Sequence, residues 1–187
     1  SPHSVREAEA PAPDLGAMLD RVPVLGVCYG AQYLAHRNGG KVEASDTREY
    51  GRANLAVVEN DPLLEGVEVG SQVWMSHGDT ILELGPDFTP ICSTGDVRFA
   101  GFRAPGRDIW GIQFHPEVYH STDGPRLIEN FVMGICGCTG DWTPDSFAEE
   151  TIAKLQAQLG EDRVILGLSG GVDSTVAAEL LRRAVGD

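Results

Sequence analysis

The chain has few basic residues. Its 187 residues include 14 Lys and Arg against 28 Asp and Glu, which gives a net charge of −14. A nucleic-acid partner requires clustered positive charge, so this composition argues against nucleic-acid binding. The chain also lacks any apolar run of the roughly 18–20 residues that cross a membrane, and no secretory signal is visible. We therefore expect a globular cytoplasmic protein with no membrane partner.

Cysteine is scarce as well. Four cysteines are too few for a disulfide scaffold in a chain of this length, and they suit a reducing compartment. Cys136 and Cys138 have one residue between them, whereas paired cysteine ligands of a metal have two or more. No second pair exists in the sequence, so we predict no metal site there. An initiator Met is also missing, and we expect both ends of the chain to be cut.

The order of apolar runs and turn residues predicts an α/β protein. A short buried strand at 22–27 leads into a helix that Gly39-Gly40 should end. Further segments have the pattern of strands, with a hairpin turn at 105–108 before the last of them. The predicted strands are 53–58, 72–75, 97–104 and 109–115, and a helix is predicted over 124–135.

The composition changes near residue 137. Residues 137–145 are rich in turn formers, and Ser146-x-x-Glu149 has the form of a capping box that opens an amphipathic helix. An apolar strand at 163–168 and a helix from about 174 to 185 should follow. We predict a first domain over 1–137, a linker over 138–145 and the beginning of a second domain over 146–187.

A cysteine follows the first predicted strand in a turn flanked by glycines. Gly26-Val27-Cys28-Tyr29-Gly30 has the form of a nucleophile elbow. The elbow would place the Cys28 sulfur near a helix N-terminus, which lowers a thiol pKa, and would direct the Tyr29 backbone N–H to a developing oxyanion. A buried structural cysteine is the alternative, and this motif alone leaves both interpretations open.

A second motif favours the catalytic interpretation. In Gln113-Phe114-His115-Pro116-Glu117, the His and the Glu are two residues apart, so on a strand they share one face. A catalytic His needs an acceptor that orients its ring, and Glu117 is a candidate for that acceptor. Beside an elbow cysteine, this pair indicates nucleophilic catalysis.

These motifs resemble the class I glutamine amidotransferase family, whose triad is Cys, His and Glu in this order. The resemblance assigns the triad to Cys28, His115 and Glu117. It implies the family's flavodoxin-like open α/β sheet, here truncated at its N-terminus. The start, Ser1-Pro2-His3-Ser4-Val5, is similar to the end of the family's oxyanion loop, but the glycine that normally precedes it is absent.

Finer similarities point to one branch of that family. Four short segments are similar to those of glutamine-dependent GMP synthetases, namely 28–30, 74–79, 114–120 and 142–143. By the same resemblance, the substrate glutamine would contact Tyr29, Gln32, Ser76 and His77. An ordinary polar turn is the alternative for the segment that holds Ser76 and His77.

A glycine loop lies between the last predicted strand and helix. Glycines there let backbone N–H groups approach phosphate oxygens, and the helix N-terminus adds positive charge. The Lys of a Walker A loop is missing, so this is not a P-loop NTPase. The hexapeptide resembles the PP-loop of ATP pyrophosphatases, which implies the start of an adenine nucleotide α-hydrolase-like domain with Mg²⁺ as cofactor. ATP would then be bound by Ser169, Gly170, Gly171, Val172, Asp173 and Ser174.

Together the two resemblances imply glutamine-dependent synthesis of GMP from XMP and ATP. The XMP-binding part would lie outside this chain, and the complete enzyme would be a homodimer. An amidotransferase subunit of another synthetase would share the triad but would not continue into the loop. A PP-loop enzyme that modifies tRNA would share the loop, although the acidity opposes it. An inactive or glutaminase-only fragment is the remaining alternative.

Overall fold

The chain forms two compact units, one ending at Cys138 and the other beginning at Thr139. The computed structural model describes residues 3–186, and for residues 46–49 it describes the backbone alone. The similarity to an oxyanion loop at Ser1 and Pro2 therefore lies outside the described residues. None of the helices in residues 3–186 is long and apolar enough to cross a membrane.

A six-stranded mixed sheet is the framework of the first unit. Its order is β1-β6-β5-β4-β2-β3, where β1 and β6 run parallel and the other neighbours run antiparallel. This open α/β sheet confirms the predicted fold class. The strands are β1 (Val24–Val27), β2 (Lys41–Val58), β3 (Gln72–Glu83), β4 (Thr89–Thr94), β5 (Gly101–Arg103) and β6 (Ile109–Ile112).

The helices of the first unit are short. They are α1 (Gly16–Leu19), α2 (Tyr29–Arg37) and α3 (Gly124–Glu129), with a 3₁₀ turn at Pro62–Leu64. The helix predicted over 124–135 changes at Asn130 into a π-helix that runs to Ile135. α2 ends where predicted, because Gly39 has a φ of 80°, which glycine adopts without strain.

Two apolar clusters cover the two faces of the sheet. Successive strand residues point to opposite faces, so Ile109 of β6 joins one cluster while Trp110 and Ile112 join the other. The cluster around Ile109 includes the buried face of α2, with Ala31 and Leu34. This packing holds α2 and the turn before it against the carboxyl end of β1.

All five strands predicted in the first unit differ from the structure in length, and β2 begins at Lys41 rather than at residue 53. The strand predicted over 97–104 is present only from Gly101, because the Val97 N–H bonds the Thr94 hydroxyl in a turn. The strand predicted over 109–115 ends at Ile112. β3 runs eight residues beyond its predicted end at Met75, paired along its length with β2.

The second unit contains two helices, α4 (Pro144–Leu159) and α5 (Val172–Val185). α4 begins two residues earlier than predicted, because its capping box differs from the predicted one. The Thr143 side chain accepts from the Ser146 N–H at 3.0 Å, and the Ser146 hydroxyl accepts from the Thr143 N–H at 2.9 Å. Glu149 instead contacts Arg183 of α5.

The strand predicted at 163–168 is wrong for the described unit. Residues 162–169 have no regular secondary structure, and Ile165 is fully exposed. A strand requires a hydrogen-bonded neighbour, and residues 139–186 provide helices but no other strand. The apolar pattern therefore predicts a buried strand, but residues 139–186 contain no second strand against which it could pair.

Candidate active site

Cys28 occupies a strained turn between β1 and α2. Its φ of 51° and ψ of −107° lie where residues with a side chain rarely occur. Among the residues that the structure describes, Cys28 alone combines a side chain with a positive φ. Its N–H bonds the Ile112 carbonyl of β6 at 2.8 Å. A Cβ on Gly26 would come within 2.7 Å of the Gly30 backbone. The elbow predicted from the glycine spacing is present, and Gly26 permits its close approach.

Burial controls the protonation of the Cys28 thiol. The residue is 8% exposed, and loss of water raises the pKa of the thiol more than the Tyr29 backbone N–H lowers it. The prediction of a lowered pKa is therefore wrong for the unliganded chain. A thiol that stays protonated near neutral pH needs a base before it can attack a substrate.

The side chains of His115 and Glu117 contact each other just beyond the end of β6. His115 Nδ1 lies 2.6 Å from Glu117 Oε1, in a turn rather than on the strand that was predicted. β1 and β6 are parallel with Val27 opposite Ile112, so Cys28 and His115 follow neighbouring strands at the same edge of the sheet. The Ser121 hydroxyl donates to the His115 carbonyl at 2.6 Å and fixes the turn.

β3 connects the cysteine with the histidine. The Trp74 carbonyl accepts from the His115 N–H at 2.9 Å, and the Ser76 carbonyl accepts from the Cys28 thiol at 3.7 Å. Carbonyls two residues apart on a strand point to the same side. A single strand therefore holds the main chain of His115 and the thiol of Cys28.

Cys28 lines a cavity of about 400 Å³. All four residues expected to contact glutamine line it too: Tyr29, Gln32, Ser76 and His77. Burial lowers the pKa of His77, so that its ring is neutral near pH 7, and the nearby His115 lowers this pKa further. The Tyr29 hydroxyl donates to the Pro11 carbonyl at 2.6 Å. The structure thus brings the four expected contacts to the cavity that Cys28 lines.

The glycine loop of the second unit forms the start of α5. Gly170 has a φ of 82°, and Gly171 is the N-cap of the helix without a side-chain cap. The hydroxyls of Ser169 and Ser174 lie 3.0 Å apart and close the loop. The helix N-terminus is exposed, so its free N–H groups face solvent, where an anion can reach them.

Comparison with known proteins identifies the first unit. The profile of the family "Glutamine amidotransferase class-I" matches residues 2–135. The chain belongs to the class-I glutamine amidotransferase family. The profile of a second family, "NAD synthase", matches residues 146–187.

Individual relatives resemble this amidotransferase over its whole length. The chain is 54% identical over all 187 residues to a glutamine-hydrolysing GMP synthase of Bacteroides fragilis, and 55% identical to one of Christiangramia forsetii. It spans 37% of the length of these curated relatives. The crystal structure of a protein from Thermoplasma acidophilum, described as one subunit of a GMP synthase, is 36% identical, with a TM-score of 0.59, covering 62% of this chain and 57% of that one.

The motifs did not predict one group of cavity residues in this amidotransferase. Ser4, Arg6 and Glu7 of the N-terminal segment line the cavity together with Asp79. Ser4 and Asp79 are 75 residues apart in sequence, and their contact depends on how the segment packs on β3. The available signals were two resemblances, since Asp79 belongs to the segment 74–79 and Ser4 to the start of the chain that is similar to an oxyanion loop.

Proposed function

We propose that this chain is the glutamine-hydrolysing part of a GMP synthase, followed by the beginning of its ATP-binding part. The observation that carries the proposal is the occurrence, in one chain, of a glycine loop at a helix start and of a buried elbow cysteine that shares a sheet edge with a His–Glu pair. The 54% identity to a GMP synthase across both parts supports the same assignment.

In the first half-reaction, the Cys28 sulfur attacks the carboxamide carbon of glutamine. The carbon–nitrogen bond breaks, the nitrogen leaves as ammonia, and a γ-glutamyl thioester remains on Cys28. Water then hydrolyses the thioester to glutamate and restores the thiol. Two easier steps thus replace one difficult hydrolysis. The Tyr29 backbone N–H, which faces the sulfur, is suited to donate to the oxyanion.

His115 carries the proton in both steps. In the first it takes the proton of the Cys28 thiol, whose raised pKa requires a base, and gives it to the departing nitrogen. In the second it takes a proton from the attacking water and returns it to the Cys28 sulfur. Glu117 accepts from Nδ1 of the ring, which leaves Nε2 for proton transfer. Glutamine would lie in the 400 Å³ cavity against Tyr29, Gln32, Ser76 and His77.

The second unit would begin the site for ATP. The pyrophosphate of ATP fits the exposed start of α5, with the loop Ser169, Gly170, Gly171, Val172, Asp173 and Ser174 around it. Ammonia would displace AMP from adenylated XMP to give GMP. Asp173 offers one exposed carboxylate, and the side chains that the structure describes, which leave out those of residues 46–49, contain no cluster of three metal-ligating residues. This fits Mg²⁺ bound mainly by phosphate oxygens and water, to which Asp173 would add one ligand.

The organisation of the complete protein belongs to the same proposal. We retain 1–137 as the amidotransferase domain, 138–145 as the linker and 146–187 as the start of the ATP-pyrophosphatase domain. The complete enzyme would be a cytoplasmic homodimer that binds XMP through sequence outside this chain.

Hydrolysis of glutamine by the purified chain tests the proposal. We expect glutamate and ammonia in equal amounts, and loss of both in the Cys28→Ala variant. The Cys136→Ser variant removes an exposed thiol and is the matched control, which should keep its activity. When the chain is fused to the remaining sequence of the Bacteroides fragilis relative, Cys28→Ala should abolish GMP formation from glutamine but spare it from added ammonia. Equal loss of both activities would contradict the proposed division of labour.

A further inference from the structure

Asp79 joins three parts of the first unit at the edge of the cysteine cavity. It lies on β3, three residues after Ser76, and lines the cavity together with Cys28. The proposed half-reaction assigns it no role. Its side chain is 12% exposed, so the contacts of its carboxylate are shielded from solvent on most sides.

The carboxylate of Asp79 holds the N-terminal segment, which we define as residues 3–7. One oxygen accepts a hydrogen bond from the Ser4 hydroxyl, and the other lies 3.0 Å from Nη2 of Arg6. The Arg6 Nε also donates to the Ser4 hydroxyl at 3.2 Å, so the three side chains form a closed network. Charge-assisted hydrogen bonds of this kind are stronger than neutral ones.

The backbone of Asp79 holds α2. Its carbonyl accepts from Gln32 Nε2 at 2.7 Å, and Gln32 is 4% exposed. Gln32 lies one turn of helix beyond Cys28, and its N–H bonds the Cys28 carbonyl at 3.1 Å. The same residue therefore contacts the N-terminal segment through its side chain and the helix of the nucleophile through its main chain.

We propose that Asp79 is a positioning residue that holds the N-terminal segment as one wall of the glutamine cavity. The inference rests on the proposed function for its effect on glutamine. The wall consists of His3, Ser4, Arg6 and Glu7, and Ser76–Gly78 of β3 line the same cavity. Without the carboxylate, Arg6 retains only Glu43, at 3.8 Å, among the carboxylates that the structure places near it.

The loss of this anchor should weaken glutamine binding more than it slows the chemistry. Cys28, His115 and Glu117 are held by β1, β6 and the Trp74 and Ser76 carbonyls, none of which needs the Asp79 carboxylate. The wall contributes to binding in the ground state and the transition state alike, and the removal of such an interaction raises KM while kcat is kept.

Three variants and one control test the proposal in the full 187-residue chain. Asp79→Ala removes both acceptors, Asp79→Asn keeps one oxygen for the Ser4 hydroxyl, and Ser4→Ala removes one donor. Glu83→Gln neutralises an exposed carboxylate four residues further along β3 and is the matched control. Amide hydrogen exchange of residues 3–15 reports the anchoring, and kcat and KM for glutamine report its consequence.

We expect exchange in residues 3–15 to rise about tenfold in Asp79→Ala, because the segment opens locally once its anchor is lost. KM should rise about tenfold while kcat changes less than about threefold. Asp79→Asn should lie between Asp79→Ala and the parent, and Glu83→Gln should match the parent. Ser4→Ala combined with Asp79→Ala should be less harmful than the sum of the two, since both remove the hydrogen bond between the Ser4 hydroxyl and the carboxylate.

Unchanged exchange in both Asp79 variants would overturn the anchoring. Raised exchange with an unchanged KM would overturn the role in glutamine binding. If Asp79→Ala does not fold, Asp79→Asn and Ser4→Ala decide by the same two readouts. A parent chain that hydrolyses no glutamine would contradict the proposed function instead, and the exchange measurement would still support or overturn the anchoring.

Discussion

His115 Nδ1 and Glu117 Oε1 lie 2.6 Å apart, although the Glu117 side chain is 54% exposed. The contact orients the imidazole, because a carboxylate that accepts from Nδ1 leaves Nε2 free to take a proton. Water around an exposed carboxylate screens its charge and can replace part of its hydrogen bonding. Glu117 should therefore orient the ring more than it stabilises the imidazolium.

This geometry predicts a moderate loss of activity in the Glu117→Gln variant. The carboxylate of a buried triad contributes about 10⁴ in kcat, and exposure should reduce the loss here to about 10–10², with KM nearly unchanged. Steady-state glutamine hydrolysis measures both constants. The exposed Glu129→Gln variant on α3 is the control. A loss as large as that of Cys28→Ala would contradict the screening argument.

The four thiols should react with iodoacetamide in an order set by burial. Exposed Cys136 and Cys138 should be alkylated first, and buried Cys28 later. Because burial raises the pKa of Cys28, its rate should still be rising with pH above the ordinary thiol value of about 8.5. Burial raises the pKa of Cys92 to about 12, so this residue should react only when the chain unfolds.

Mass spectrometry of peptides alkylated between pH 7 and 10 follows each thiol separately. Faster labelling of Cys28 than of Cys138 at pH 7 would contradict the order.

The folded chain keeps Cys92 protonated where the unfolded chain ionises it, so this residue should stabilise the fold fully below about pH 8.5 and progressively less as pH rises towards 12.

The two glycines of the elbow should differ in their tolerance of a methyl group. A Cβ at Gly26 would lie 2.7 Å from the Gly30 backbone and 2.8 Å from Leu34, while a Cβ at Gly30 meets nothing within 4 Å. Gly26→Ala should cost about 1–3 kcal/mol of unfolding free energy, because the helix must move away from the strand. Gly30→Ala should be within about 0.5 kcal/mol of the parent, since it introduces no clash.

Urea denaturation measures both free energies, and glutamine hydrolysis should fall with Gly26→Ala alone. Equal tolerance of both substitutions would show that the elbow can relax. The two glycines of the motif would then have no separate roles.

Short-range patterns were sufficient to predict the elbow and the His–Glu contact. Cys28 follows a recognisable strand, and His115 and Glu117 are two residues apart, so each geometry depends on a few neighbouring residues. The fold class followed from the same local signals. Neighbouring residues were enough to locate these features, although the strained backbone of Cys28 is held in place by the distant Ile112 carbonyl.

Features that depend on distant packing could not be predicted in the same way. The hydrogen bond from Ser4 to Asp79 spans 75 residues, and no pattern near either residue indicates it. The pKa of Cys28 was predicted from the helix N-terminus alone, but the surrounding burial outweighs that local effect. Residues 163–168 have the composition of a strand, yet their conformation depends on a neighbouring strand that the described unit lacks.

The capping box of α4 should contribute measurably to the second unit. Thr143→Ala removes the acceptor for the Ser146 N–H and should cost about 1 kcal/mol of helix stability. Ser146→Ala should cost part of this, because it removes the reciprocal bond to the Thr143 N–H. Faster amide exchange in the first turn of α4 measures the loss. Glu149→Ala should leave amide exchange in that turn unchanged. Faster exchange there would instead support the Ser146–Glu149 capping box that the sequence predicted.

The glycine loop should depend on Gly170 more than on its neighbours. Gly170 has a φ of 82°, a conformation that costs a residue with a side chain about 1–2 kcal/mol. Gly170→Ala should therefore weaken the binding of pyrophosphate by about tenfold, since each 1.4 kcal/mol is a factor of ten.

Gly167 is the matched control, because an added Cβ meets nothing within 4 Å and its φ needs no glycine. Calorimetric titration of the parent, Gly170→Ala and Gly167→Ala with pyrophosphate and then with ATP compares the three. Equal affinity of all three would show that this loop does not bind phosphate. A loss of affinity confined to Gly170→Ala would place the anion at the start of α5.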